Sequence, residues 1–133
     1  MKKFLPFFLA VLLLAGCAAP AEREVSYRQI TMDEAVARMT EEKNFIILDV
    51  RTAAEYNEGH IPGAINIPNE AIGTDAIPEL PDKDQLILVY CRSGNRSKQA
   101  SEKLVKLGYT NVVEFGGIID WPGETETNEG GAL

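Results

Sequence analysis

Apolar residues recur along the chain in short runs separated by polar, helix-patterned stretches. Residues 25–30, with Val25, Tyr27 and Ile30 spaced among polar neighbours, predict a short edge strand. Thr31-Met32-Asp33-Glu34 is a capping box, so a helix should follow with Ala35, Val36 and Met39 on one face. Phe45 to Val50 is a continuous apolar run broken only by Asp49, the pattern of a strand covered on both faces of a parallel sheet. Thr52-Ala53-Ala54-Glu55 repeats the capping box and predicts a second, short helix. Gly59-His60-Ile61-Pro62-Gly63 is turn chemistry, and Ala64 to Ile67 a brief strand stopped by Pro68. Residues 69–84 are mixed, with Pro78 and Pro81 limiting any helix, and Leu86 to Tyr90 is the central strand.

A helical pattern opens at Ser97, with Ala100, Leu104 and Leu107 on one face, Glu102 able to pair with Lys106, and Gly108 placed as the C-terminal cap. Val112 to Phe115 is the last strand, and Gly116-Gly117 through Pro122 reads as a closing turn and short helix, with Trp121 a packing anchor. The alternation of strands and helices implies a three-layer α/β domain on a mainly parallel sheet. Ligands bind such sheets at the strand C-terminal edge, where Cys91 falls.

The first residues follow a different logic. Met1-Lys2-Lys3 precedes an apolar stretch from Phe4 to Leu14, too short for a spanning helix of ~20 residues, so residues 1–16 read as a secretory signal. Leu14-Ala15-Gly16-Cys17 resembles a bacterial lipobox, which makes Cys17 the lipidated mature N-terminus and the membrane a partner. Residues 17–24 then form a tether, 25–123 the domain, and 124–133 an acidic, flexible tail. Ala18 carries no acidic retention signal. The expected location is the periplasmic side of an outer membrane, or the outer face of the cytoplasmic membrane in a single-membrane bacterium. Loss of Lys2 and Lys3 with the signal takes the net charge from −7 to −9, which argues against nucleic acid as a partner.

With Cys17 lipidated, Cys91 has no intramolecular disulfide partner although the chain is exported. It ends the strand and opens the loop Arg92-Ser93-Gly94-Asn95-Arg96 ahead of the helix. A cysteine so placed is ringed by main-chain N–H groups and the positive end of a helix dipole, which favour the thiolate, the nucleophilic form. One histidine and one available cysteine cannot assemble a zinc or iron site, and no glycine-rich nucleotide fingerprint is present, so no metal or cofactor is expected.

Asp49-Val50-Arg51 with Glu55, then Gly59-His60-Ile61-Pro62-Gly63-Ala64-Ile65-Asn66-Ile67-Pro68, then Cys91-Arg92-Ser93-Gly94-Asn95-Arg96-Ser97, and finally Gly116-Gly117 with Trp121 resemble, in order, the blocks of a single-domain rhodanese. The resemblance covers residues 26–123. It implies a five-stranded parallel sheet in the order 1-5-4-2-3, and sulfur transfer through a persulfide on Cys91, from thiosulfate or a related anion to a thiol or cyanide acceptor. Related phosphatases and arsenate reductases carry five residues between cysteine and arginine. Cys91 and Arg96 enclose four, the sulfurtransferase spacing. A non-catalytic binding module or protein sulfur carrier is the alternative reading.

On this reading Cys91 is the nucleophile, and Arg92, Ser93, Gly94, Asn95, Arg96 and Ser97 form the anion-binding loop, with Arg92 meeting donor charge at the rim and Arg96 bracing the loop. Asp49, Arg51, Glu55 and His60 are structural supports.

Overall fold

The computed structural model describes residues 26–128, together with Gly16. Apart from Gly16, the expected signal segment, Cys17 and the tether 17–24 lie outside the described residues. Five strands run β1 (Arg28–Gln29), β2 (Phe45–Asp49), β3 (Ile65–Asn66), β4 (Leu86–Cys91) and β5 (Val112–Gly117). Three helices, α1 (Met32–Glu41), α2 (Ala53–Glu58) and α3 (Asn95–Lys106), and two 3₁₀ turns, Asn69–Ala71 and Ile118–Asp120, join them. All strand pairs are parallel, in the order β1-β5-β4-β2-β3.

Both predicted capping boxes form. Thr31 and Glu34 exchange hydrogen bonds at the start of α1, and Thr52 and Glu55 do so at α2. Each satisfies amide donors that a helix N-terminus leaves free.

Strand parity divides the core into two layers. On β4, Ile87, Val89 and Cys91 face Ala100 and Leu104 of α3, while Leu86, Leu88 and Tyr90 face Ala35 of α1 and Ile61. Each fully buried Leu or Ile here contributes on the order of 1.5–3 kcal/mol. Met32 and Met39 pack at the edge of the second layer, as does Trp121, whose Nε1 donates to the Glu124 carbonyl at 3.0 Å.

Three expectations are corrected. Gly116 and Gly117 continue β5 instead of closing a turn, because Gly117 pairs with Cys91 across an irregularity in the β4–β5 ladder. The expected tail is docked over its first half: His60 and Glu126 form an antiparallel bridge, with both N–H···O distances 2.9 Å, and Asn128 N–H donates to Asn57 O at 3.1 Å. Helix α3 also begins two residues before Ser97, with Gly94 as its N-cap.

Candidate active site

Parity aims the Cys91 side chain at the first turn of α3, and the chain reverses there through Gly94, whose φ of 113° is a left-handed conformation that glycine adopts without steric cost. The result is a buried sulfur, 1 % exposed as a residue, with the Gly94 N–H donating to it at 3.0 Å. The thiol lies 3.3 Å from the Ser97 hydroxyl oxygen. Burial alone would push the thiol up. The Ser97 hydroxyl and the amides of Ser97, Gly94 and Ser93 outweigh it, holding Cys91 below the ordinary thiol range. The positive end of α3 acts in the same direction.

Arg92, Ser93 and Asn95 are exposed around the loop, while Gly94 and Ser97 are buried beneath it. Arg96, grouped with the anion-binding loop, is held by Glu55: Nη1 reaches Oε1 at 2.6 Å and Nη2 reaches Oε2 at 3.0 Å. The same carboxylate accepts from the Thr52 N–H and hydroxyl. The Arg96 hydrogen bonds, against a smaller opposing effect of burial, hold Glu55 down to about 2. One side chain thus caps α2 and fixes the loop to it.

Asp49 is fully buried and tied to Arg51, whose Nη2 lies 2.7 Å from Oδ2 and also reaches Gly59 O at 2.6 Å. The Tyr90 hydroxyl donates to Asp49 Oδ2 at 2.6 Å and accepts from Ile61 N–H at 3.0 Å. Burial, reinforced by the Asp49 carboxylate, pushes the Tyr90 phenol far up, so it stays a donor. This knot sets the residue preceding Cys91. His60 is engaged elsewhere: its ring stacks on Tyr56 with centroids 3.8 Å apart, Nδ1 lies 2.9 Å from Tyr56 O, and Nε2 stands 3.8 Å from Glu126.

The sequence reading missed Tyr90 and Glu114. Glu114 is buried on β5 and its Oε1 accepts from the Ser97 hydroxyl at 2.7 Å and from Gly116 N–H at 2.8 Å. Its signal was a charge inside Val112-Val113-Glu114-Phe115, with the same parity as core-facing Val112. Among the described residues, no three His, Cys, Asp or Glu side chains gather in a group that could hold a metal ion.

A family model described as the Rhodanese-like domain matches residues 31–123. The chain belongs to the rhodanese-like family. Residues 1–18 also match the prokaryotic membrane lipoprotein lipid attachment site, the mark of an exported, membrane-anchored lipoprotein. Among relatives, Thiosulfate sulfurtransferase PspE of Escherichia coli is 41 % identical over 73 residues, covering 55 % of this chain and 70 % of its own. A protein named Sulfurtransferase from Allochromatium vinosum is 37 % identical over 94 residues, covering 70 % and 86 %. The crystal structure of the Alr3790 protein from Anabaena superposes with a TM-score of 0.66 at 33 % identity, covering 74 % of this chain and 91 % of that one. A structure titled "rhodanese with anions from E. coli" gives 0.57 at 36 % identity, covering 62 % and 96 %. The rhodanese-like assignment carries the sulfurtransferase class with it.

Proposed function

We propose that this rhodanese-like lipoprotein is a thiosulfate sulfurtransferase whose nucleophile is Cys91. The observation that carries the reading is the Gly94 N–H at 3.0 Å and the Ser97 hydroxyl at 3.3 Å from one sulfur at the start of a twelve-residue helix. That cradle favours sulfur as an anion. The thiolate attacks the outer sulfur of thiosulfate, the donor's S–S bond breaks with its electron pair leaving on sulfite, and Cys91 keeps the sulfur as a persulfide. A cyanide or thiolate acceptor then attacks that outer sulfur and returns the Cys91 thiolate. Loop amides stabilise the charge on the transferred sulfur, and Arg92 at the rim meets the anionic donor. Arg96 acts through its grip on Glu55, by holding the loop.

The test is turnover of thiosulfate and cyanide by the detergent-solubilised full chain. Cys91→Ser should fall to the uncatalysed background, and retained turnover would refute the nucleophile assignment. Mass spectrometry after thiosulfate treatment should find one added sulfur on Cys91. A stable adduct without turnover would favour a sulfur carrier.

The attachment-site match and the absence of an acidic residue after Cys17 support an outer-membrane lipoprotein facing the periplasm, or one on the outer face of a single membrane. Fatty-acid labelling that does not depend on Cys17 would remove the anchor.

A further inference from the structure

Glu114 is a buried carboxylate that the sulfur-transfer scheme does not use. It is 3 % exposed, and none of the ion pairs among the described residues includes it. Its Oε1 shares the Ser97 hydroxyl with Cys91: Ser97 Oγ stands 2.7 Å from Glu114 Oε1 and 3.3 Å from Cys91 Sγ, with Gly94 O at 2.9 Å and Gly116 O at 3.4 Å. A hydroxyl has one hydrogen to give, so it cannot serve thiolate and carboxylate together. Thiolate and carboxylate therefore compete for one hydrogen, and whichever of them holds a proton of its own leaves the hydroxyl free for the other.

We propose that Cys91, Ser97 and Glu114 form a proton-sharing unit in which Glu114 receives, through the Ser97 hydroxyl, the proton that Cys91 gives up. In the resting form the thiol donates to Ser97 Oγ and Ser97 donates to Glu114 Oε1. The thiol proton moves to Ser97 Oγ as the hydroxyl proton moves to Oε1. The S–H and original O–H bonds break, a new Ser97 O–H and a carboxyl O–H form, and Ser97 ends by donating to the thiolate. The site holds one negative charge before and after, so the nucleophile is made without gathering two anions in a buried space. Glu114 is a positioning residue in this scheme, acting on sulfur only through Ser97.

The charged and titratable groups around the unit come from every neighbouring element. Tyr27 lies ahead of β1 and is pushed up by burial and by the charges of Glu102 and Glu114. Arg96 of α3 interacts electrostatically with Cys91. Lys98 of α3 and Asp120 of the last 3₁₀ turn line the open concavity that Glu114 borders with Ser93, Gly94 and Gly116. Lys98 and Asp120 offset one another in sign, and neither stands between Glu114 and Ser97.

The inference deepens the proposed function and rests on Cys91 as its nucleophile, but it is read without turnover. Alkylation of Cys91 by iodoacetamide, located by mass spectrometry, is followed against pH in the wild-type protein and in Glu114→Gln, which keeps an acceptor for Ser97 but takes up no proton. The wild type should show two steps, and the variant one step lying below the wild type's upper step. A single step that superposes in both proteins would overturn the unit. Should Glu114→Gln fail to fold, infrared difference spectra of the wild type decide: a protonated-carboxyl band growing as the S–H stretch disappears supports the transfer, and loss of S–H without that band overturns it. Retained turnover in Cys91→Ser removes the function instead, so the two failures are distinct.

Discussion

The carbonyl of Arg92 fills the space where a β-carbon on Gly117 would stand. Both partners are backbone, at the point where β5 pairs with Cys91, so no side-chain rotation relieves the overlap. Gly117→Ala must therefore displace the cysteine loop or break the end of β5. A misplacement of ~1 Å at a reacting group costs about 10²-fold in rate. The expected outcome is a folded protein by circular dichroism whose kcat/KM falls by about that factor. A variant with wild-type turnover would show that the loop tolerates the shift.

Glu55 gives a pH signature. Arg96 holds its carboxyl down to about 2, below the ~4.3 of an unfolded chain. A group depressed by folding stabilises fully above its unfolded value and ceases to do so as pH falls through its folded value. The pair is about a third exposed on each side, so its worth is about 0.5–1 kcal/mol. Urea denaturation should find Glu55→Gln less stable by that amount at pH 7, with the difference shrinking as pH falls below about 4 and gone only below about 2. A difference unchanged by pH would assign the loss to packing instead.

What could be read in advance follows from the range of the interactions involved. The capping boxes at Thr31 and Thr52 and the run from Leu86 to Tyr90 are local signals, and they placed α1, α2 and β4. The position of Cys91 and its loop between β4 and α3 was legible for the same reason: strand, turn and helix are contiguous. Gly116 and Gly117 were read as a turn because glycine weakens strands. Their place in β5 depends on the approach of the Arg92 carbonyl, which is distant in sequence. Glu114 required knowing that Ser97 sits over β5, and the second duty of Glu55 required knowing that Arg96 reaches α2. The contact between His60 and Glu126 was not legible, because Glu126 lies in a segment whose composition reads as tail.

The knot beneath Tyr90 should dominate stability at this end of the sheet. Asp49 accepts from Arg51 and from Tyr90 in a fully buried position. Asp49→Ala leaves the Arg51 guanidinium buried without its counterion, a change that costs about 3–5 kcal/mol. Tyr90→Phe strands the Ile61 N–H and costs about 1–3 kcal/mol. Denaturant melts should rank them in that order. The reverse ranking would mean that Arg51 finds compensation, with the Gly59 carbonyl it already reaches as the available acceptor.

The segment from Glu124 to Asn128 separates backbone from side-chain contributions. Two hydrogen bonds join His60 to Glu126 and a third joins Asn57 to Asn128, all between main-chain atoms. Deleting residues 124–133 removes all three, together with the Trp121 indole's bond to the Glu124 carbonyl, and uncovers the His60 ring, whose side chain is 4 % exposed. With a net worth of about 0.5–1.5 kcal/mol per bond, reduced where water replaces the partner, the truncated protein should lose about 1–3 kcal/mol. Glu126→Ala keeps the main-chain bridge and removes only a carboxylate that is 59 % exposed and 3.8 Å from Nε2, so it should be close to neutral. Turnover should be unchanged in both, since His60 is bonded to Tyr56 and Glu126 and not to Cys91. Equal losses from the point variant and the truncation would locate the stabilisation in the Glu126 side chain. A loss of activity without loss of fold would instead give His60 a part in the chemistry.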